Sequence, residues 1–427
     1  MKPADRVQRN EDDRMATRMA AADREGKKLQ DVVFSIGMAA QQAAAQYGAD
    51  RVVNATVGCY AGEDGKIACL PLVEKLYRAL PIRDFVAYAP PLGLDSYGRA
   101  VQEEVFADRR PDLYCETVAT AGGTGALHIA VANYAERGER VLVADWRWAV
   151  YDSVCEEVGR KVRTFTLLRE DGTFHQEAFA EAVHELLQTQ DSLVIILNTP
   201  AHNPTGFALT YDDWRAVMDV CGEEEKKGKR LSLVVDIAYI AYSGEPHEVR
   251  RFMELFKGAG EHLLIMIAFS MSKGYTLYGQ RTGALVGLSS SRAVIDEFRE
   301  LGKYSARTAW SNVNRAAMTL LTNIRRDKTL TAELEAERRA FFDTIMRRAA
   351  MFTKEAQATG LPMIPYTAGF FISLPHAAPM QVCRRLQARR IFALPVHGGI
   401  RLGICSIPER QLPGLAAAIQ ATATEDR

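Results

Sequence analysis

The sequence predicts an α/β protein: a large domain on a mostly parallel sheet wrapped by helices, with a smaller α+β domain beside it. Three observations carry this. Between about residue 115 and residue 290, short apolar runs alternate with amphipathic stretches, the pattern of strands exchanging with helices. The run Leu263 to Phe269 has six strongly apolar residues of seven and the seventh is small, as a strand covered on both faces requires. At 427 residues the chain exceeds the roughly 100 to 200 residues of one domain.

The first 28 residues mix acids and bases without an apolar stretch and read as a charged arm. Residues 31 to 47 follow in a helix-like pattern, and Val52 to Val57 is a candidate strand that joins this part to the smaller domain. Within the large domain, Val141 to Ala144, Leu193 to Leu197, Leu231 to Val235, Leu263 to Phe269 and Ala284 to Leu288 read as strands. Ala126 to Glu136, Gln176 to Leu187, Tyr211 to Lys226 and Ala293 to Leu301 read as helices. After Asn314 a long helical stretch runs through Glu333 to Phe352, and Phe370 to Ala423 mixes Pro, Gly and short apolar runs in an α+β pattern. The expected division is 1–70 (arm and part of the small domain), 71–339 (large domain) and 340–427 (small domain).

Charge balances at 53 basic and 53 acidic residues, which offers no field for nucleic acid or an anionic membrane. Seven scattered cysteines without a Cys-x-x-Cys pair argue against a disulfide framework or a zinc site and for a reducing, cytoplasmic compartment. No window approaches the roughly 20 apolar residues of a membrane span, and no signal peptide is evident. A small-molecule enzyme fits these limits.

The chemistry centres on Lys273. It stands in Ser270-Met271-Ser272-Lys273, directly after the strand Leu263 to Phe269, and Arg281 follows eight residues later. An amine beside two hydroxyls and a second cation suits a phosphorylated aldehyde; taken alone, the tetrapeptide reads rather as part of a polar loop. Thr120-Ala121-Gly122-Gly123-Thr124-Gly125-Ala126 is a glycine-rich turn before a helical pattern, and backbone amides with the positive end of a helix dipole make a phosphate cradle, or simply a tight turn. Asp236 ends a strand with Tyr239 close behind, so it is either a cap or the partner of a protonated pyridine nitrogen. Asn203-Pro204 turns the chain sharply after another strand, and Asn203 and Tyr239 are suited to hydrogen-bond one phenolate oxygen. Trp148 offers an aromatic face for a heterocycle, or a buried structural ring.

Asn203-Pro204-Thr205-Gly206, Asp236 with Tyr239, Ser270-Met271-Ser272-Lys273 and Arg281 stand in the order and spacing of class I aminotransferases. From about Val52 onward the chain resembles that family, pyridoxal-phosphate enzymes of fold type I, and most of all its aspartate aminotransferase subgroup. The resemblance implies pyridoxal 5'-phosphate as cofactor, Lys273 as its Schiff-base lysine and proton carrier, and Asp236 as the pyridinium partner. It assigns Asn203 and Tyr239 to the ring oxygen, Gly123, Thr124, Ser270 and Arg281 to the phosphate, and Trp148 to the ring face. Tyr88, in Tyr88-Ala89-Pro90-Pro91-Leu92-Gly93, matches a tyrosine that reaches the phosphate from a neighbouring subunit, which implies a homodimer with shared sites. Arg401 matches the arginine that forks onto the substrate α-carboxylate, Gly58 the glycine beside it, and Arg307, in a helix-flanking loop, the distal-carboxylate arginine donated across the dimer.

Two departures accompany the match. Gly122 stands where the family has a serine, and Tyr151 where it has a histidine behind the pyridinium-binding aspartate. The implied reaction is ping-pong transamination through pyridoxamine phosphate, between an L-amino acid (aspartate, aromatic or similar) and a 2-oxo acid such as 2-oxoglutarate. Decarboxylation or β-elimination on the same scaffold is the alternative reaction, and a non-catalytic regulator of the same fold the alternative class.

Overall fold

Mostly apolar strands build the centre of the molecule, and in the computed structural model of the chain they form, with two more polar edge strands, one seven-stranded sheet. The structure describes residues 19–21, 24, 27 and 32–425. The strands are β2 (Tyr114–Thr120), β3 (Arg140–Ala144), β4 (Lys161–Phe165), β5 (Ser192–Asn198), β6 (Arg230–Asp236), β7 (Leu263–Ser270) and β8 (Gly283–Ser289), in the spatial order β2-β8-β7-β6-β5-β3-β4. All neighbours are parallel except β8, which runs antiparallel to both β7 and β2. Residues 271–282 link β7 to β8 and turn the chain back along the sheet.

Alternation along the strands feeds two cores. Leu193, Ile195, Leu197, Leu231, Leu233, Val235, Ile265 and Ile267 pack on one face, and Val194, Ile196, Val234, Leu264, Met266 and Ala268 on the other. Helices Asp95–Phe106, Gln176–Leu187, Tyr211–Lys226 and Arg315–Arg326 cover the first face, and Gly122–Tyr134, Val150–Glu157 and Arg292–Ala309 the second. Local chemistry starts and stops them. Thr210 and Asp213 form a reciprocal capping box at the start of Tyr211–Lys226. Asp327 caps Lys328–Thr359 by accepting from the Thr329 and Leu330 amides, and Gly360, left-handed at φ +68°, ends it.

A third core gathers Tyr60, Ile345, Phe352, Phe370, Ile372, Leu386, Ile400, Leu402 and Ile419 around a small antiparallel sheet in the order β11-β12-β9. Its strands are β9 (Phe371–Pro375), β11 (Leu394–Val396) and β12 (Gly399–Gly403), while β1 (Val53–Asn54) pairs parallel with β10 (Ile391–Phe392).

The structure corrects several sequence expectations. The strand expected over Val52 to Val57 shortens to Val53–Asn54, because the chain then leaves to line the site. The long helical stretch is two helices, Arg315–Arg326 and Lys328–Thr359, broken at Asp327. The helix expected from Ala126 starts at Gly122, so the glycines form its first turn rather than a loop before it. The charged arm lies mostly outside the described residues; of it, Arg24 pairs with Glu157 and Lys27 donates to Glu156 O at 3.3 Å.

Candidate active site

Strand register lines up the polar residues at one edge of the large sheet. Thr120 pairs with Gly283, Gly283 with Ser270, and Asp236 with both Ala268 and Asn198. Because β8 returns antiparallel, the chain just before Gly283 is carried back beside Ser270, which is how Arg281 arrives there. Its Nη1 donates to Ser272 Oγ at 3.2 Å and to Tyr278 O at 3.0 Å. Arg281 itself has φ +52°, a left-handed backbone uncommon outside glycine.

Opposite lies the first turn of Gly122–Tyr134, whose leading amides have no partner within the helix. A Cβ on Gly122 would sit 2.8 Å from Arg281 Nη2, so only glycine, here at φ +71°, lets the guanidinium come this close. A Cβ on Gly123 would meet Ser270 Cβ at 3.5 Å, and half-buried Thr124 follows in the same turn. Ser270 Oγ accepts from the Ser272 amide at 3.2 Å. This cradle of amides, hydroxyls and one guanidinium suits a phosphate.

Next along the edge is Asp236, only 6 % exposed. Tyr151 donates its hydroxyl to Asp236 Oδ2 at 2.7 Å, and the Ala238 amide donates to Oδ1 at 3.1 Å. Burial pushes the Asp236 carboxyl above its ordinary range, and those two bonds oppose the rise. Trp148 meets the Tyr151 ring edge-on, centroids 5.7 Å apart. Tyr239 is buried against the Phe370 and Phe371 rings. Asn203 is held by a residue without an assigned role in the sequence reading: Asn198 Oδ1 accepts from the Asn203 amide at 2.7 Å, and Asn198 Nδ2 donates to Asp236 O at 2.8 Å.

The Lys273 amine donates to Gly58 O and lies 5.1 Å from the Tyr278 ring centroid and 5.5 Å from that of Tyr239. Burial depresses its pKa; the Cys59 and Cys405 thiols pull the other way, and Arg401 and Arg281 add to the depression. Arg401, 7 % exposed, lies 4.2 Å from the Phe371 ring centroid. It donates from Nη1 to Asn203 Oδ1 at 3.2 Å and from Nη2 to Thr56 O at 3.1 Å. Its Nε is buried with no partner among the described residues. The amine and the guanidinium therefore hold carbonyls two residues apart on one segment, Thr56 to Gly58. In extended chain that is about 7 Å.

Three residues near the amine escaped the sequence reading: Tyr278, whose hydroxyl accepts from the Tyr60 amide at 2.9 Å, and Cys59 with Cys405, linked by a Cys405 Sγ contact to Cys59 O at 3.5 Å. Tyr278 falls within the run between Lys273 and Arg281, which was a signal; the thiols carried none. Two expected residues stand away from this set. Tyr88 is 85 % exposed, and Arg307 is exposed in the last turn of Arg292–Ala309, bonded to Ser311 Oγ, rather than in a helix-flanking loop.

The donor set fits a phosphorylated pyridine aldehyde: a phosphate cradle, a buried carboxylate for a ring nitrogen and an amine for the aldehyde. Among the described residues, no group of three or more His, Cys, Asp or Glu is placed to hold a metal ion. A sequence profile of the family described as aminotransferase class I and II matches residues 50–419. The chain belongs to that family.

This aminotransferase is 27 % identical over 315 residues to the aspartate aminotransferase of Pseudomonas aeruginosa, covering 72 % of this chain and 77 % of that one. It is also 27 % identical over 306 residues to the aromatic-amino-acid aminotransferase of that organism, with coverages of 70 % and 73 %. The crystal structure of an aminotransferase from Anaerococcus prevotii superposes with a TM-score of 0.93 at 33 % identity, over 96 % of this chain and 100 % of that one. That of the aromatic-amino-acid aminotransferase from Burkholderia pseudomallei, covalently bound to pyridoxal phosphate, shares the fold at TM-score 0.79 and 23 % identity, over 96 % and 100 % of the two chains. This chain is a pyridoxal-phosphate-dependent aminotransferase of fold type I, close to the aspartate aminotransferase group. The alternative reading, decarboxylation or β-elimination, is not favoured by these relatives.

Proposed function

We propose that this aminotransferase moves an amino group between an L-amino acid, aspartate or aromatic in kind, and a 2-oxo acid such as 2-oxoglutarate. We place it in the cytoplasm as a homodimer with shared sites, each chain divided at about 70/71 and 339/340. One observation carries the substrate reading: Lys273 Nζ and Arg401 Nη2 bond to Gly58 O and Thr56 O of one short segment. An amine-exchanging centre and a carboxylate fork at that spacing match the two ends of an α-amino acid.

Pyridoxal phosphate, when bound, supplies an aldehyde for the amine and an electron-withdrawing ring that takes up charge from Cα. The chain's residues do the rest. The cradle of Gly122, Gly123, Thr124, Ser270 and Arg281 would hold the phosphate, Trp148 would face the ring, and Asn203 and Tyr239 would bond its ring oxygen. Asp236, kept in place by Tyr151, holds the proton on the ring nitrogen. Arg401 clamps the α-carboxylate beside Gly58, its free Nε and outer N–H groups matching carboxylate oxygens. Lys273, deprotonated more readily because it is buried, takes the Cα proton and returns it. Tyr88 and Arg307, exposed on the single chain, are suited to act across the dimer, Tyr88 on the phosphate and Arg307 on a distal carboxylate.

A panel of amino acids in single half-reactions, read by loss of the bound cofactor's visible absorbance, tests this. The expected result is one equivalent of 2-oxo acid per site, with aspartate, glutamate or an aromatic amino acid fastest. Release of carbon dioxide or ammonia instead of 2-oxo acid would replace the proposal with the decarboxylase or β-lyase reading.

A further inference from the structure

The helix Lys328–Thr359 carries two buried arginines, Arg338 at 2 % exposure and Arg348 at 0 %. Guanidinium groups are seldom buried without partners, because desolvating the charge is costly. Their partners lie on different segments of the site.

Arg338 donates from Nε to Gly274 O at 2.7 Å, the carbonyl directly after Lys273. Its Nη1 donates to Glu104 Oε1 and Glu335 Oε1, both at 2.8 Å, and its guanidinium lies 4.5 Å from the Tyr275 ring centroid. Tyr275 donates its hydroxyl to Glu104 Oε2 at 2.9 Å. Burial raises the Glu104 carboxyl, but Arg338, Arg325, Arg250 and the Tyr275 bond outweigh it and hold the pKa at about 2. The turn that carries Lys273 is thus moored at two points, Gly274 and Tyr275, to one buried ionic cluster.

Arg348 holds the other side. Its Nη1 donates to Cys405 O at 2.7 Å, and its Nη2 to Ala61 O at 2.9 Å and Glu63 Oε1 at 2.6 Å. Its guanidinium lies 5.3 Å from the Tyr60 ring centroid. Ala61 follows closely on Gly58, and Cys405 on Arg401. At 1.5 Å rise per residue, the two arginines leave the helix about 15 Å apart along its axis.

We infer that Arg338 and Arg348 are positioning residues that divide the work: Arg338 sets the Lys273 amine, and Arg348 sets the Gly58 and Arg401 side that receives the substrate carboxylate. One helix thereby fixes the distance between proton carrier and carboxylate fork. The inference rests on the roles proposed above for Lys273 and Arg401.

The test is a set of holoenzyme variants compared in a single half-reaction. Lysine keeps the charge of Arg338 but cannot span both Gly274 O and Glu104 as the planar fork does. Arg338→Lys is expected to lower the half-reaction rate constant about tenfold or more with KM unchanged, since small displacements of a reacting group are costly. It should also shift the pH at which the bound cofactor's absorbance changes. Arg348→Lys is expected to raise KM about tenfold, with the rate constant and that pH unmoved. Tyr275→Phe, which removes one hydroxyl from the same mooring, is the folded probe should Arg338→Lys not fold, and is expected to lower the rate constant several-fold without changing KM. Variants that alter only melting temperature, or that change KM and rate constant together at both positions, overturn the inference. Lys273→Ala and Arg401→Lys are the controls: if the first keeps the parent half-reaction rate, or the second the parent KM, the underlying roles fail instead.

Discussion

In the role proposed for it, Lys273 combines two requirements that conflict in water, a nucleophilic amine and an ordinary cellular pH. Burial resolves the conflict by disfavouring the ammonium. The folded-state pKa lies below the unfolded one, so this group's contribution to stability is present above the unfolded value and is lost as pH falls through the folded value. Borohydride treatment of the holoenzyme is expected to fix the cofactor at Lys273, as peptide mapping would reveal; attachment elsewhere sinks the role. Asp236 titrates in the opposite sense, raised by burial and restrained by Tyr151. Tyr151→Phe removes the restraint, so the carboxylate takes up its proton at a higher pH. Cofactor retained after dialysis should accordingly fall off at higher pH than in the parent protein, and an unchanged profile would remove Tyr151 from this role. For Arg401→Lys we expect KM for amino acids to rise roughly 100-fold, because an ammonium replaces a bidentate fork in a buried site; equal effects on an amine lacking the carboxylate would refute that assignment.

Among the elements, the strands with a continuous apolar run were legible in sequence and the two edge strands were not. Tyr114–Thr120 and Lys161–Phe165 stand at the two ends of the sheet order. Edge strands are covered less completely, so Glu116, Thr117, Lys161 and Arg163 interrupt the run that betrays a central strand. The direction of β8 was hidden for a different reason: apolar periodicity is identical for parallel and antiparallel strands. Caps were legible only after their helices were known. Asp327→Ala, which removes the acceptor for the Thr329 and Leu330 amides, is expected to cost about 1 kcal/mol in denaturant unfolding with transamination unaffected. The cluster at Glu104 has its own signature. Its depressed pKa makes the stabilisation full above the ordinary glutamate value and progressively lost as pH falls toward about 2, an acid limb that Glu104→Gln should flatten.

At the scale of the whole molecule, Tyr88 and Arg307 project from the surface although the family resemblance gives both a place in a site. The proposed shared-site dimer would reconcile the two. Mixing Lys273→Ala and Tyr88→Ala dimers under exchange should then restore roughly a quarter of parent activity, because half of the dimers are hybrids with one intact site. No recovery from dimers shown to exchange would argue for self-contained sites. Arg307→Ala should weaken glutamate far more than alanine, whereas equal weakening would show that Arg307 is not the distal-carboxylate ligand. Among the described residues, no helix is long and apolar enough to cross a membrane.

Short-range pattern by itself determined the layered α/β fold and singled out Lys273, Asp236, Asn203 and Arg281, because each stands at or close to the end of an apolar strand, Arg281 just ahead of one and the others at or after one. Only the tertiary structure decided what those residues touch. Gly58 against Lys273, Arg401 against Asn203 and Thr56, Tyr151 beneath Asp236, and Arg338 behind Gly274 join positions 64 to 345 residues apart. Contacts at that separation leave no periodicity in the chain. They exist because the returning β8, the small sheet and one long helix fold distant segments onto a single edge.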